Sequence, residues 1–279
     1  MTGLIDIRGG SAGSAPLRYP PLNRSADLRP VVVELFGPAA SGKTTLAHAL
    51  HLALEAAGCR SELVASARPA ERAGNGSEPA HATRRRLTGP LSRAAKIFGA
   101  IAELGSQDAV GAQLLTLFPP RSPLSQLRHR RYLARLNRAL AADRPLAEIL
   151  ILDQGYLSAL CSLAARSGLA QATDASSILT RALDLTPPAD LVVWVETPRA
   201  ALEERLGKRL ARQTPLERFF ELDLSTTMEQ ARLADVVRGL LRARGRPVVQ
   251  VLGLGPAQLD DAVRQALGAV GALLAEHAA

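Results

Sequence analysis

The 279-residue sequence is short of cysteine, of long apolar runs and of aromatic side chains. Its two cysteines, Cys59 and Cys161, are too few and too far apart for a disulfide framework or a zinc site. No apolar run is long enough for a membrane-spanning helix, and the first residues lack the basic segment and apolar stretch of a secretory signal. We therefore expect a cytoplasmic protein in a reducing setting.

Basic side chains outnumber acidic ones, 34 to 26, and nearly all of them are arginine. The net charge of +8 suits phosphorylated ligands or nucleic acid, because guanidinium groups match phosphate geometry. A general richness in Ala, Leu and Arg explains the charge equally well. Charge alone therefore leaves the ligand open, and nucleic acid is the weakest interpretation that it allows.

Residues 1–29 are rich in Gly, Ser and Pro and show no sustained period, so we expect a flexible leader. Farther along, short apolar segments alternate with amphipathic ones. We predict five strands, within VVVELF, RSELVAS, EILILD, DLVVWVE and RPVVQVLGL, separated by helices. Apolar strands alternating with helices favour a parallel sheet covered on both faces. The sequence thus predicts one α/β domain over residues 30–279.

One segment, GPAASGKT, carries a specific signature between the first predicted strand and the first predicted helix. It satisfies the Walker A pattern G-x-x-x-x-G-K-[ST] in the context that this pattern requires. The backbone N–H groups of such a loop cradle phosphate oxygens, the lysine reaches the β- and γ-phosphates, and the Thr hydroxyl can ligate Mg²⁺. As a chance match, the lysine would be a solvated turn residue. The predicted nucleotide-binding residues are Gly37, Pro38, Ala39, Ala40, Ser41, Gly42, Lys43, Thr44 and Thr45.

A second candidate is Asp153, which follows the apolar stretch ILIL. In proteins with such a loop, a carboxylate at the end of the neighbouring strand faces Mg²⁺, directly or through water. The same residue could instead cap the helix that follows. We predict that Thr44 and Asp153 are the metal ligands, and that Lys43 and Asp153 take part in catalysis.

An arginine-rich segment follows the fourth predicted strand and forms a predicted lid at about residues 203–220. Its cationic side chains lie at helical spacing and continue into a loop: Arg205, Lys208, Arg209, Arg212 and Arg218. A mobile cationic segment can close over a transferring phosphoryl group, stabilise its charge and exclude water. We predict that Arg205 and Arg209 contact that group and act in catalysis. The alternative is a solvated amphipathic face beside Glu203 and Glu204.

The order of these landmarks resembles the thymidylate kinase-like branch of the nucleoside and nucleotide kinases, over about residues 31–275. LDQGYLSAL stands where that family has a strand ending in an Asp-Arg-aromatic motif. LVVWVETPRAALEERLGKRLARQTPLERF resembles the family's fourth strand, lid and terminal acidic-Arg-Phe element. The resemblance implies a three-layer P-loop NTPase fold, a five-stranded parallel sheet in the order 2-3-1-4-5, and Mg²⁺-ATP as phosphoryl donor.

Departures from the family concern the phosphoryl acceptor. Gln154 replaces the arginine that follows the family's aspartate, and residues 38–41 lack the acidic residue found near the substrate sugar. Few aromatic residues could stack on a base, and both Phe98 and Phe118 lie in apolar helical runs that favour a core position. The acceptor is therefore a small molecule that the sequence does not identify. Its candidate contacts are Arg68, Gln154, Arg212 and Arg218.

We expect an ATP-dependent kinase that acts by positioning and charge neutralisation, without a covalent enzyme intermediate. A regulatory NTPase whose nucleotide state controls a protein partner is the alternative, and a homodimer is compatible with the sequence. Glu34 lies inside the first strand and should be buried beside a polar partner that the sequence does not name. The helix predicted at residues 123–142 carries arginines at helical spacing, and we interpret it as an amphipathic helix rather than as part of the site.

Overall fold

The computed structural model describes residues 29–65, 108–142, 147–169, 174–212, 224–253 and 256–278. Five strands form one sheet: β1 (Val31–Phe36), β2 (Ser61–Val64), β3 (Ile149–Leu152), β4 (Leu191–Glu196) and β5 (Val248–Leu252). Apart from the short edge strand β2, they are mostly apolar runs, as expected for strands that are covered on both sides. All five predicted strands are present.

The strand order is β2-β3-β1-β4-β5, and each neighbouring pair is parallel. β1 is central, because Val33 pairs with Ile151 of β3 on one side and with Leu191 of β4 on the other. The predicted α/β class and the strand order implied by the resemblance are both confirmed. Since the carboxyl ends of parallel strands meet at one edge, the segments that follow β1, β3, β4 and β5 converge there.

Eight helices flank the sheet within the described residues. They are α1 (Lys43–Ala56), α2 (Ala109–Leu117), α3 (Pro123–Ala141), α4 (Tyr156–Ser167), α5 (Ala175–Leu185), α6 (Arg199–Arg212), α7 (Leu224–Ala243) and α8 (Pro256–Ala278). Helices α1 and α8 cover one face of the sheet, and α2, α3, α4, α5 and α7 pack on the other. None of these described helices is both long and apolar enough to cross a membrane.

Alternate residues of β1 enter separate cores on the two faces of the sheet. Val33 packs with α1, where Leu50 is completely buried. Phe36 points to the opposite face, and its ring meets Trp194 of β4 edge-on, with 5.3 Å between ring centroids. The Arg238 guanidinium of α7 lies 4.7 Å from the centre of the Trp194 ring. Burial on both faces fixes the register of the strands that carry the site.

The amino end of β1 is anchored by Asp190, which lies just before β4. Its carboxylate accepts the backbone N–H of Val32 at 2.8 Å. Arg29 also donates to both carboxylate oxygens, at 2.7 and 3.1 Å. The remainder of the predicted leader, residues 1–28, lies outside the described residues.

Helix α3 has the amphipathic character predicted for residues 123–142. Leu133 and Leu136 are buried in the core, whereas Arg128 and Arg131 are exposed. The predicted packing is therefore confirmed.

Candidate phosphate-binding site

The glycine loop, residues 37–44, runs from the end of β1 into the start of α1. Gly37 (φ 148°) and Gly42 (φ 96°) adopt backbone conformations that favour glycine. A Cβ atom on Gly37 would lie 2.6 Å from the carbonyl oxygen of Val195, so any side chain would collide with β4. Ala40 also has a positive φ of 63°, which is costly for a residue with a Cβ atom. The backbone path of the loop thus depends on its two glycines and on neighbours that hold Ala40 in place.

The ammonium group of Lys43 lies inside the glycine loop. Its Nζ donates to the carbonyl oxygens of Gly37 and Pro38, at 2.9 and 2.5 Å, and lies 3.4 Å from Ser41 Oγ. The residue is only 7% exposed, and a buried ammonium group needs such partners. Helix α1 starts at the same point and contributes the positive end of its dipole. The loop therefore presents concentrated positive charge, which suits an anion such as phosphate.

Thr44 faces Asp153, the residue that follows β3. Thr44 Oγ1 donates to Asp153 Oδ2 at 3.0 Å, across 109 residues of sequence. Asp153 is completely buried, and its backbone N–H lies 3.3 Å from the carbonyl oxygen of Val64. A hydroxyl and a carboxylate beside a phosphate loop are the oxygen ligands that Mg²⁺ takes from a protein when phosphate supplies others. These two residues therefore fit Mg²⁺, while the described residues contain no cluster of three or more His, Cys, Asp or Glu that could hold a metal ion.

The carboxyl ends of β4 and β5 brace the outer side of the glycine loop. Thr197, after β4, has its Oγ1 3.5 Å from the carbonyl oxygen of Ser41. Gly253, after β5, packs so closely that a Cβ atom would lie 2.7 Å from Val195 Cγ1 and closer still to the Ser41 carbonyl. Arg205 of α6 donates to the Gly253 carbonyl at 2.7 Å. The predicted catalytic residue Arg205 is thus seated against the segment that supports the loop.

The turn between β3 and α4, which carries Asp153, is held by side chains from two other elements. The Tyr132 hydroxyl of α3 donates to the Gln154 carbonyl oxygen at 2.9 Å. Glu34 of β1 accepts the backbone N–H of Leu157 at 2.8 Å through its Oε1. The first turn of α4 is therefore the polar partner that Glu34 requires.

Burial has a large effect on Glu34, which is 2% exposed. Desolvation raises the pKa of its carboxyl to about 8, and the backbone N–H groups at the start of α4, that of Leu157 foremost, oppose this shift. The neutral acid therefore predominates at pH 7.

Helix α3 lies closer to the site than its amphipathic pattern suggests. Tyr132 reaches the turn after β3, and Arg135, one helical turn later, donates to the carbonyl oxygen of Ala65 after β2 at 2.7 Å. The helix is amphipathic as predicted, and two of its polar side chains also reach the segments that follow β2 and β3. Sequence pattern describes the buried face of a helix, but not which strand ends its polar side chains reach.

The predicted site residues divide into those that lie at the glycine loop and those whose side chains fall outside the described part of the chain. Those around the glycine loop are Lys43, Thr44, Asp153 and Arg205, and Gln154 lies beside them in the turn after β3. Arg209 and Arg212 belong to α6, but their side chains lie outside the described part of the chain, as do the whole of Arg68, Arg218 and Phe98. Phe118 is completely buried, so its predicted core position is confirmed.

Three residues of the site were missed by sequence reasoning: Thr197, Gly253 and Tyr132. The first two directly follow β4 and β5, so the convergence of strand ends could have selected them. Tyr132 offers no comparable signal, because its hydroxyl bonds to a backbone carbonyl 22 residues away. Every residue has such a carbonyl, so no residue type marks the partner.

The fold and the site define a class: an α/β protein with a central parallel sheet and a glycine loop suited to phosphate. No family model and no curated protein matches the chain. Among solved structures, thymidylate kinase from Ehrlichia chaffeensis matches with a TM-score of 0.39 and 12% identity, over 87% of this chain and 100% of that chain. A likeness at this level supports no conclusion about function, so the resemblance to thymidylate kinase-like enzymes stays a prediction.

Proposed function

We propose that this protein is an ATP-binding phosphotransferase that moves the γ-phosphoryl group of Mg²⁺-ATP to a small-molecule acceptor. The observation that carries the proposal is the pairing of Thr44 with Asp153, at 3.0 Å, beside the buried ammonium group of Lys43. A phosphate-binding loop and a metal-binding carboxylate are the two parts that phosphoryl transfer needs at its donor side.

Each residue has a defined role in this proposal. The backbone of the glycine loop and Lys43 bind and orient the β- and γ-phosphates. Thr44 and Asp153 would hold Mg²⁺, which neutralises charge on those phosphates when bound. Arg205 and Arg209 stabilise the transferring group from the lid, while Arg68, Gln154, Arg212 and Arg218 are the candidate acceptor contacts. Catalysis then depends on positioning and electrostatics, without a covalent intermediate on the protein.

The test measures ATP binding by calorimetry and ADP formation with a panel of nucleosides, nucleotides, sugars and aminoglycosides. We expect Mg²⁺-dependent binding and at least one acceptor that raises ADP formation. Lys43→Ala should abolish both, because it removes the cation inside the glycine loop. Arg264→Ala is the control, since it removes an exposed cation of α8 whose described partner is Asp261.

Failure of wild-type protein to bind ATP would refute the proposal. Binding without any acceptor-dependent ADP would favour the regulatory NTPase. A partner pull-down that changes between ATP, ADP and a non-hydrolysable analogue would then identify that function, because occupancy of the same loop would control association.

A further inference from the structure

Helix α4 begins without a cap of its own. Its N-cap residue is Gly155, which has no side chain to accept the N–H groups of the first turn. Those groups have no partner within the helix, and elsewhere a Ser, Thr, Asp or Asn at this position satisfies one of them. In α4 a side chain from strand β1 takes this role, since Glu34 Oε1 accepts the Leu157 N–H at 2.8 Å.

Glu34 is well placed to hold this position rigidly. It lies in the central strand, paired with Leu152 of β3 and Val192 of β4, and is 2% exposed. Gly155 packs directly on its carboxyl group: a Cβ atom there would lie 2.6 Å from each carboxyl oxygen and closer still to Cδ. The cap and its helix thus fit together without spare room.

The same turn is tied on a second side. The Tyr132 hydroxyl donates to the Gln154 carbonyl oxygen at 2.9 Å and lies 3.5 Å from that of Gly155. The turn that follows Asp153 is therefore fixed by one contact from β1 and one from α3. Asp153 itself pairs with Thr44 of the glycine loop at 3.0 Å.

We propose that Glu34 is a positioning residue, which caps α4 from within the sheet and so fixes Asp153 opposite Thr44 for Mg²⁺-dependent nucleotide binding. Tyr132 is the second anchor of the same turn. The inference rests on the proposed function, because it assigns to these two residues the alignment of the predicted metal ligands. Groups that orient metal ligands without touching the metal typically change metal affinity about 10- to 100-fold when they are removed.

The experiment compares ATP affinity with and without Mg²⁺ for wild type, Glu34→Ala, Glu34→Gln and Tyr132→Phe. The readout is the Mg²⁺ enhancement, which is the ATP dissociation constant without Mg²⁺ divided by the constant with Mg²⁺. A loss of stability alone leaves this ratio unchanged in folded protein. Glu34→Ala should reduce the Mg²⁺ enhancement about tenfold and leave Mg²⁺-free affinity within about twofold. Glu34→Gln should retain the enhancement, since its amide oxygen can accept the same N–H and it resembles the neutral acid.

Asp190→Ala is the matched control, because Asp190 also accepts a backbone N–H of β1, at the opposite edge of the sheet. It should destabilise the protein and leave the Mg²⁺ enhancement unchanged. Tyr132→Phe removes one hydroxyl without loss of ring volume and should lower the enhancement about threefold, on the order of one lost hydrogen bond. This variant keeps the inference testable if Glu34→Ala does not fold.

The outcomes separate the two proposals. An unchanged enhancement in folded Glu34→Ala, or in Tyr132→Phe if the former does not fold, would show that these contacts only stabilise the fold. Wild-type protein that forms acceptor-dependent ADP but binds ATP equally well with and without Mg²⁺ would overturn the inference and the assignment of Mg²⁺ to Thr44 and Asp153, while phosphoryl transfer would stand. Wild-type protein that does not bind ATP at all would overturn the proposed function and the inference with it.

Discussion

Replacing Gly155 by alanine adds one methyl group at a crowded contact of the site. Its Cβ atom would lie 2.6 Å from both carboxyl oxygens of Glu34, well inside van der Waals contact. Because Glu34 is 2% exposed and its carboxyl group is bonded to the Leu157 N–H, that group cannot move aside freely. Overpacking of this kind costs about 1–3 kcal/mol, and loss of the bond to the Leu157 N–H adds about 1 kcal/mol. We therefore expect Gly155→Ala to lower the free energy of unfolding by about 2–4 kcal/mol.

The matched control is Gly239→Ala in the interior of α7. That glycine is exposed, and a Cβ atom there would meet nothing within 4 Å. Alanine should therefore raise the free energy of unfolding by about 0.5–1 kcal/mol, through its better helix propensity. The same substitution thus has opposite signs at the two positions, as measured by urea unfolding followed by far-UV circular dichroism.

A double variant isolates the contact. In Glu34→Ala/Gly155→Ala the carboxyl group is absent, so the added methyl group has nothing to strike. The double variant should be more stable than the sum of the single changes predicts, by at least about 1 kcal/mol. If Gly155→Ala is as stable as wild type, or if the two changes are additive, then Glu34 does not press on the start of α4 as described.

Two further predictions concern pH and the amino end of β1. Burial lowers the pKa of His129 from 6.5 to about 4. Because the unfolded chain then binds the proton more readily than the folded protein, His129 should lower the free energy of unfolding as pH falls from 6.5 towards 4. The raised pKa of Glu34 has the opposite effect. The buried acid holds its proton more tightly than the unfolded chain does, so its contribution to the free energy of unfolding is lost as pH rises from 4.5 towards 8. We therefore compare the free energy of unfolding of each variant with that of wild type, by urea unfolding between pH 4.5 and 6.5. As pH rises, this difference should increase by about 1.4 kcal/mol per pH unit for Glu34→Gln and decrease by a similar amount for His129→Gln. If the free energies of both variants run parallel to that of wild type across this range, both assignments are refuted. Asp190→Ala should cost about 1–2 kcal/mol, because the Val32 N–H loses its partner, whereas Arg29→Ala should cost under about 1 kcal/mol because that side chain is 67% exposed. Equal losses in the same assay would contradict this.

The fold was predictable because its signals are local. Each strand is a short run of sequence between helices, and the glycine loop is a contiguous pattern whose flanks confirm it. Even the long-range pair of Thr44 and Asp153 follows from the rule that parallel strand ends converge.

The remaining contacts of the site could not be predicted, because side chains bond there to backbone atoms. Glu34 meets the Leu157 N–H across 123 residues, and Arg205 meets the Gly253 carbonyl across 48. Every residue offers a carbonyl, and nearly every residue offers an N–H, so no residue type marks such partners. Sequence could show that Glu34 needed a partner, but only packing shows which one.

The position of Trp194 provides a built-in spectroscopic probe. It is the single tryptophan of the chain, it is 2% exposed, and its ring touches Phe36, the residue immediately before the glycine loop. An indole in apolar surroundings emits at shorter wavelength than one in water, and the Arg238 guanidinium over its ring adds a nearby charge. Fluorescence from this one side chain can therefore follow both unfolding and rearrangement beneath the loop, without any attached label.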